Sequence, residues 1–180
     1  MCHTPSLVTS SNPFLWVDCR HESESSISSN PVFCGRLQIS MEKIYIYTDG
    51  GSRGNPGPAA IGIYITDADG NMLREVAETI GNATNNFAEY QGVLRGLQTV
   101  KEMYGKKARE MEFELRLDSE LVKKQLNSEY QIKDAGLVPH FIEIHNLRVS
   151  AVPNLVLTHV RREKNKDADR LVNEALDAGK

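Results

Sequence analysis

Hydrophobic and polar residues alternate in three consecutive stretches after Met41, and this two-residue period is typical of β-strands. The stretches cover residues 43–49, 60–66 and 72–80, and clusters of Gly, Pro, Asn and Asp separate them. Connections this short join neighbouring strands in antiparallel fashion. The pattern therefore predicts an antiparallel meander of three strands.

Helical spacing replaces the alternation between about Asn86 and Tyr104, after a polar segment whose Thr and Asn residues are suited to cap a helix. The apolar positions of this helix form one stripe, made of Phe87, Tyr90, Leu94, Leu97 and Val100. Glu89 lies one turn into the helix beside an apolar flank. A helical glutamate usually faces solvent, whereas a buried carboxylate is usually paired or bound to a cation. The pattern leaves both interpretations of Glu89 open.

Strands and helices alternate from there to the end of the chain. Strands are predicted over 111–117 and 154–160, and helices over 121–126, 139–149 and 166–178. The resulting order is β-β-β-α-β-α-α-β-α. This order predicts an α/β fold in which helices pack on the faces of a mixed sheet.

The first forty residues have a different character. They contain nine serines and no sustained period, which is typical of a disordered segment. All three cysteines lie in this part of the chain, and with its histidines they fit no usual zinc-ligand spacing. We therefore expect a disordered extension over residues 1–40 and one folded domain over residues 41–180.

Composition narrows the function classes only slightly. The formal net charge of −3 argues against a globally basic nucleic-acid-binding protein, although it allows a local basic face. No apolar run reaches the length of a membrane span, and no targeting signal is recognisable. A cytoplasmic monomer is the resulting expectation.

The first predicted strand runs directly into Asp49. Four glycines and two prolines follow that residue within nine positions, so the backbone has little side-chain bulk beside the carboxylate. One interpretation is an ordinary hairpin turn, since Asp-Gly is a strong turn signal. The other is a site at which a phosphate approaches main-chain N–H groups.

Three further acids occupy comparable positions at the ends of elements. Asp118 ends a second strand, while Glu89 and Asp169 lie near the starts of two helices. If the two strands are adjacent and parallel, their carboxylates emerge at the same edge of the sheet. Four carboxylates at one place repel each other unless divalent cations lie among them, and hard oxygen ligands favour Mg²⁺ or Mn²⁺.

The motifs that contain these acids resemble those of ribonuclease H type 1, and the resemblance extends from Lys43 to Leu176. The matching motifs are Tyr47-Thr48-Asp49-Gly50-Gly51 with Asn55-Pro56-Gly57, Thr84-Asn85-Asn86 with Ala88-Glu89, Asp118-Ser119, and Asn165 with Ala168-Asp169. Each motif alone is weak evidence, but the four together in this order are specific.

The resemblance implies a fold, an activity and a metal requirement. The fold is a mixed five-stranded sheet in the order 3-2-1-4-5, with strand 2 antiparallel and helices on both faces. The activity is cleavage of the RNA strand of RNA–DNA hybrids, which leaves 5′-phosphate and 3′-hydroxyl ends. Two Mg²⁺ ions, which Mn²⁺ can replace, are held by Asp49, Glu89, Asp118 and Asp169. One ion activates a water and the other stabilises the leaving oxygen.

The resemblance also implies residues that contact the substrate. These residues are Gly51, Ser52, Asn55, Thr84, Asn86, Ser119 and Asn165. Contacts in the shallow minor groove distinguish RNA by its 2′-hydroxyl groups. Asn55 as a turn residue and Thr84 as a helix cap are the simpler alternatives.

The sequence departs from the family pattern in two places. The loop after the last strand is short and lacks the histidine that is usual in the family. His159 lies on the strand itself, where it aligns with a core aromatic position. Arg162 is therefore the expected catalytic substitute. As a permanent cation, Arg162 would act through electrostatics at the phosphate or the leaving group. The basic protrusion of some members is also missing, so we expect weaker hybrid binding. A partial basic replacement would come from Lys123, Lys124, Lys133 and Arg148, but a plain solvated face is the favoured interpretation for most of these residues.

Two alternatives to hybrid-specific cleavage stay open. The same fold is compatible with cleavage of double-stranded RNA in addition to hybrids. A non-catalytic nucleic-acid-binding module is the second alternative, and it predicts the loss of at least one carboxylate. All four carboxylates are present.

Overall fold

A computed structural model of the chain describes residues 42–179. Five strands form one sheet in it: β1 (Lys43–Ser52), β2 (Gly57–Thr66), β3 (Met72–Ala83), β4 (Glu112–Leu117) and β5 (Leu155–His159). The disordered extension predicted over residues 1–40, with its cysteines, lies outside the described residues.

The sheet order is β3-β2-β1-β4-β5, as predicted. β2 is antiparallel to both β1 and β3. β4 is parallel to β1 and to β5. The predicted mixed sheet with an antiparallel second strand is therefore confirmed.

The glycine-rich stretch after Asp49 is not a turn at Asp-Gly-Gly. Gly50 pairs with Ile61 and Gly51 with Ala60, so β1 continues to Ser52 before the chain reverses. Glycine lacks a side chain but keeps its N–H and C=O groups, and the ladder hydrogen bonds can therefore continue. The hairpin-turn interpretation of Asp-Gly-Gly is wrong, since the turn consists only of the residues between β1 and β2.

Four α-helices accompany the sheet in the described part of the chain: α1 (Asn85–Tyr104), α2 (Glu120–Leu126), α3 (Val138–Ser150) and α4 (Lys166–Ala178). Thr84 caps α1, because its hydroxyl accepts the N–H of Phe87 at 3.3 Å. Pro139 lies in the first turn of α3, where a missing N–H costs nothing. No helix within residues 42–179 combines the length and apolar character needed to cross a bilayer.

Helices pack on both faces of the sheet. The predicted stripe of α1 buries Tyr90, Leu97 and Val100 against alternate residues of β2, such as Ile61 and Ile63. The opposite face of β2 carries Ala60, which packs against Val172, Ala175 and Leu176 of α4. Burial of each large aliphatic side chain contributes roughly 1.5–3 kcal/mol. The two faces therefore fix the places of α1 and α4, which bring two of the predicted acids to the sheet.

Gly62 allows α4 to approach β2 closely. A Cβ atom at this position would lie 2.2 Å from the carbonyl oxygen of Ala168 and 2.9 Å from the backbone nitrogen of Val172. Real Cβ contacts are never this short, so any side chain here would push the helix outward. The position of Asp169, next to Ala168, depends on this contact.

Candidate active site

A cleft of about 260 Å³ lies beside the last four residues of β1 and the residue that follows β4. Because these strands are parallel, with Thr48 beside Leu117, the next residue of each is delivered to the same edge. Those next residues are Asp49 and Asp118, and both line the cleft. The predicted convergence of Asp49 and Asp118 is therefore present, but Asp49 does not end its strand as expected, because β1 continues to Ser52.

Glu89 reaches the cleft through a direct backbone contact between β1 and α1. A Cβ atom on Gly50 would lie 2.2 Å from the carbonyl carbon and oxygen of Ala88 and 2.4 Å from the nitrogen of Glu89. Only glycine therefore permits this approach. Asn85, one turn earlier on α1, donates from Nδ2 to Oε1 of Glu89 at 3.2 Å. The Glu89 carboxylate is thus oriented toward the cleft from two sides.

Asp169 is brought in by α4, whose first turn is held to β1. Asn165 is 1% exposed, and its Nδ2 donates to the carbonyl oxygen of Thr48 at 3.0 Å. Thr48 immediately precedes Asp49, so this hydrogen bond connects the two acidic segments. Val172 and Leu176, three and seven residues after Asp169, continue the cleft wall on the same face of α4.

Burial and mutual repulsion raise the pKa values of two of these acids. Burial raises the pKa of Asp49 to about 6, and the charge of Asp118 adds to the effect, while the N–H of Gly50 opposes it. Burial raises the pKa of Glu89 to about 7; the Ser119 hydroxyl opposes this rise, and the charges of Asp118 and Asp49 add to it. Nearby positive charge would therefore favour the ionised form of both carboxylates, and of Glu89 most, since its pKa lies close to neutral pH.

Arg162 supplies one positive charge. Its Nη2 lies 2.7 Å from Oδ1 of Asp169, while the guanidinium side chain is 75% exposed. Asn173 donates from Nδ2 to the other carboxylate oxygen of Asp169 at 3.2 Å. Asp169 is thus held on both sides, and Arg162 also lowers the pKa of Asp49. Arg162, the expected substitute for the loop histidine, is therefore in direct contact with Asp169.

His159 does not occupy the core position expected for it. Its ring is exposed, and Nε2 lies 3.1 Å from the backbone carbonyl oxygen of Asp118, to which it donates. His159 shares the strand face of the buried Leu155 and Leu157, but it is the last residue of β5 and its side chain is not covered there. The histidine holds the end of β5 to the residue that carries a cleft acid.

The carboxylates suit a hard divalent cation. Oε2 of Glu89 is buried and has no hydrogen-bond partner of good geometry in the described part of the chain. A buried, unpartnered oxygen beside other carboxylates is a natural cation ligand. Within residues 42–179, no three or more Asp, Glu, His or Cys side chains are already gathered closely enough to hold a metal ion. Asp169 instead bonds to Arg162 and Asn173.

The loop between β1 and β2 is fixed at two points. Asn55 accepts the backbone N–H of Asn85 through Oδ1 at 3.2 Å, which ties the loop to the start of α1. Arg53 donates to the carbonyl oxygen of Leu176 at 3.3 Å and pairs with Asp177 at 2.8 Å, which ties it to the end of α4. Gly51 and Ser52 at the end of β1 line the cleft together with Arg53. The end of β1 and the first residue of the loop therefore form one wall of the cleft.

The remaining predicted substrate residues have different positions. Thr84 and Ser119 cap α1 and α2, since each hydroxyl accepts a backbone N–H from its helix. Asn86 is exposed and lines a neighbouring cleft beside Tyr130. Asn165 is buried and acts as a positioning residue beneath the site. Contact of these four side chains with a substrate stays a prediction.

Three residues at the cleft were not singled out from the sequence. Asn85 precedes Glu89 by four residues, and Asn173 follows Asp169 by four, so each pair shares a helix face. That spacing is a readable signal once the two acids are chosen. Arg53 gave no comparable signal, because its partners Leu176 and Asp177 lie more than a hundred positions away.

The basic residues near α2 replace the missing basic protrusion only in part, because two of the four have local roles. Lys124 pairs with Glu120 at 2.7 Å, and Arg148 donates to the backbone carbonyl of Leu126 at 2.9 Å, so both have local roles. Lys123 and Lys133 make no ion pair within residues 42–179. This surface offers two unpaired cations.

Comparisons with known proteins show which proteins this chain is similar to. Residues 47–175 match the family described as reverse transcriptase-like. Ribonuclease HI of Halobacterium salinarum is 40% identical over 135 residues, which is 75% of this chain and 65% of the relative. A bifunctional protein of Mycobacterium tuberculosis is 37% identical over 76% of this chain and 36% of its own length. The chain thus spans less than two thirds of these curated relatives.

A solved structure corresponds to the folded part almost from end to end. LC11-RNase H1, isolated from compost by a metagenomic approach, is 50% identical with a TM-score of 0.74, over 77% of this chain and 99% of that chain. The same protein has a crystal structure in complex with an RNA/DNA hybrid, with 49% identity and a TM-score of 0.73 over 76% of this chain and 98% of that chain.

Proposed function

The chain belongs to the ribonuclease H type 1 family of endonucleases, and from this membership we propose that it cleaves the RNA strand of RNA–DNA hybrids. The observation that carries the proposal is the meeting of Asp49, Glu89, Asp118 and Asp169 around one cleft. Family membership alone would not support an activity, because one fold hosts many functions. An intact set of four acids does support it. The hybrid complex of LC11-RNase H1 adds support for the substrate class.

The four carboxylates would hold divalent cations, as this family is metal-dependent, and we propose two Mg²⁺ ions that Mn²⁺ can replace. When bound, such ions lower the pKa of a water and offset the charge that develops on a phosphate group. The raised pKa values of Asp49 and Glu89 support this proposal, because both carboxylates ionise more readily beside added positive charge. Hydrolysis in this arrangement leaves 5′-phosphate and 3′-hydroxyl ends.

Each protein group around the acids has a separate task. Gly51 and Ser52 form the wall along which the hybrid would lie, with room for main-chain contacts to the minor groove. Arg162 bears a permanent charge at the open side of the cleft, where it would stabilise the anionic phosphate and the leaving oxygen. Asn173 and Asn85 keep the carboxylates of Asp169 and Glu89 in place. We propose that Arg162 takes the place of the loop histidine of other family members.

The full chain is the protein to test. Duplexes of RNA–DNA, RNA–RNA and DNA–DNA carry one end-labelled strand, and cleavage is followed in Mg²⁺ and in Mn²⁺. We expect wild-type protein to cut the RNA of the hybrid, and Asp118→Asn to lower the rate by roughly 100-fold or more. Asp167→Asn is the matched control, because Asp167 is an exposed acid of α4 two residues from Asp169.

The outcomes separate the candidate functions. Cleavage of the hybrid that is lost in Asp118→Asn and kept in Asp167→Asn supports the proposal. Cleavage of the RNA–RNA duplex by the same site would extend the substrate range to double-stranded RNA. A wild-type protein that binds the hybrid and cuts no duplex in either metal would favour the non-catalytic binding module instead.

A further inference from the structure

A second groove adjoins the cleft on the open face of the sheet. α4 packs on β2, β3 and β1, whereas the outer surface of β4 and β5 borders a groove of about 690 Å³. Tyr47 of β1, Arg116 of β4 and Thr158 of β5 line its floor, and Arg161 and Lys164 line its rim. No part of the proposed reaction uses these residues.

The groove lies beside the catalytic cleft along β1 and β4. Tyr47 precedes Asp49 by two residues, and Arg116 precedes Asp118 by two residues, so each pair shares one face of its strand. Two residues of a strand span about 7 Å, which is close to the spacing between neighbouring phosphates of an extended polynucleotide chain. A nucleic-acid strand that leaves the cleft on this side therefore meets the groove at once.

The groove has the opposite charge to the cleft. Its lining contains three cations, Arg116, Arg161 and Lys164, and one carboxylate, Glu114, for a net charge of +2. The cleft is lined by four carboxylates and two arginines, for a net charge of −2. Arg161 and Lys164 are exposed and make no ion pair within residues 42–179. On a chain of net charge −3, this surface attracts phosphate.

The groove floor also offers a rigid planar surface. The guanidinium of Arg116 lies 3.9 Å from the ring centroid of Tyr45 and 5.3 Å from that of Tyr47. It also donates to the Tyr47 hydroxyl and to Glu114, which Lys43 holds in turn. Unpaired bases stack on arginine planes and aromatic rings, whereas the bases of a duplex are already stacked on each other. Cations beside a planar floor suit a single strand better than a duplex.

We propose that this groove binds an unpaired, single-stranded extension of the substrate, with phosphates at Arg161 and Lys164 and bases against Arg116 and Tyr47. The proposal rests on the proposed function in one respect, namely that a hybrid occupies the cleft. If the groove binds a single strand, hybrids that continue into a single strand are preferred to blunt hybrids as substrates. The groove thereby selects substrate structure without reading sequence.

Binding by the full chain carrying Asp118→Asn tests the proposal without cleavage. Fluorescence anisotropy in Mg²⁺ compares a blunt hybrid with hybrids that carry an unpaired extension on either end of the RNA or DNA strand. We expect at least one extension to tighten binding by roughly fivefold or more. Adding Arg161→Ala and Lys164→Ala should abolish this gain and leave affinity for the blunt hybrid within about twofold. The log–log slope of affinity against salt concentration should fall by about 0.7 for each phosphate that the variant no longer neutralises.

The control removes the same charge elsewhere. Lys101 and Lys106 are exposed near the far end of α1 and make no ion pair in the described part of the chain. Their double alanine variant should keep the gain from the extension. Arg116→Lys keeps the positive charge but removes the planar guanidinium group. This variant should therefore lose part of the gain in affinity that the single-stranded extension provides.

Three results would overturn the proposal: no extension tightens binding, the gain survives in the Arg161→Ala/Lys164→Ala variant, or that variant weakens blunt and extended hybrids equally. Failure of the wild-type protein to cleave a blunt hybrid would refute the proposed function and leave this binding comparison readable.

Discussion

Replacement of Glu89 by Gln should stabilise the metal-free protein at alkaline pH, because it removes a buried charge that the fold tolerates poorly. Burial raises the pKa of Glu89 from 4.5 to about 7. Each pKa unit corresponds to about 1.4 kcal/mol, so the full effect is about 3 kcal/mol. The carboxylate keeps some contact with solvent, and we therefore expect about 2 kcal/mol in the free energy of unfolding.

The sign follows from the direction of the pKa change. A carboxyl group whose pKa is higher in the folded than in the unfolded state binds its proton more tightly when folded. Its stabilising contribution is complete below the unfolded pKa of 4.5 and is lost as the pH rises through about 7. Gln stays neutral throughout. The advantage of Glu89→Gln should therefore be small at about pH 5 and nearly complete at about pH 8.

Urea-induced unfolding in EDTA, followed by circular dichroism, measures this difference. Glu110→Gln is the control, since Glu110 is an exposed carboxylate without an ion pair in the described residues. Mg²⁺ should stabilise the wild-type protein and have much less effect on Glu89→Gln. A destabilising buried charge at Glu89 is excluded if Glu89→Gln is no more stable than wild type at pH 8, or if its advantage is the same at both pH values.

Two further predictions concern the contacts that position the cleft. Gly62→Ala should lower the free energy of unfolding by about 1–3 kcal/mol, because its Cβ would lie 2.2 Å from the Ala168 oxygen; an unchanged urea midpoint would contradict this. Arg53→Met should release the loop from Leu176 and Asp177 and raise KM for the hybrid about fivefold, or about 1 kcal/mol, with little change in kcat. Arg53→Lys should recover part of the loss, and equal KM values for Met and wild type would count against a positioning role.

The sequence was sufficient for the elements and for the four acids, but not for how the acids are held. Asp49 and Asp118 were predictable because each directly follows a stretch of alternating residues, although Asp49 lies within β1 and not at its end. The continuation of β1 through Gly50 and Gly51 was not, since a glycine-rich segment has the same composition in a turn and in a paired strand. Likewise, the exposure of His159 depends on where neighbouring elements end. The partners of Arg53 follow from tertiary packing, for which local spacing gives no sign.

The contact between Gly50 and Ala88 has a consequence for how this protein can change in evolution. Main chain meets main chain there, so the separation between Asp49 and Glu89 contains no side chain whose size can vary. Substitutions in the apolar core, such as at Ile46 or Leu97, alter volumes further along the same strand and helix. Such changes in core volume therefore leave the spacing of Asp49 and Glu89 largely unchanged. Distant homologues can therefore differ throughout the core and still keep these two carboxylates in the same relation.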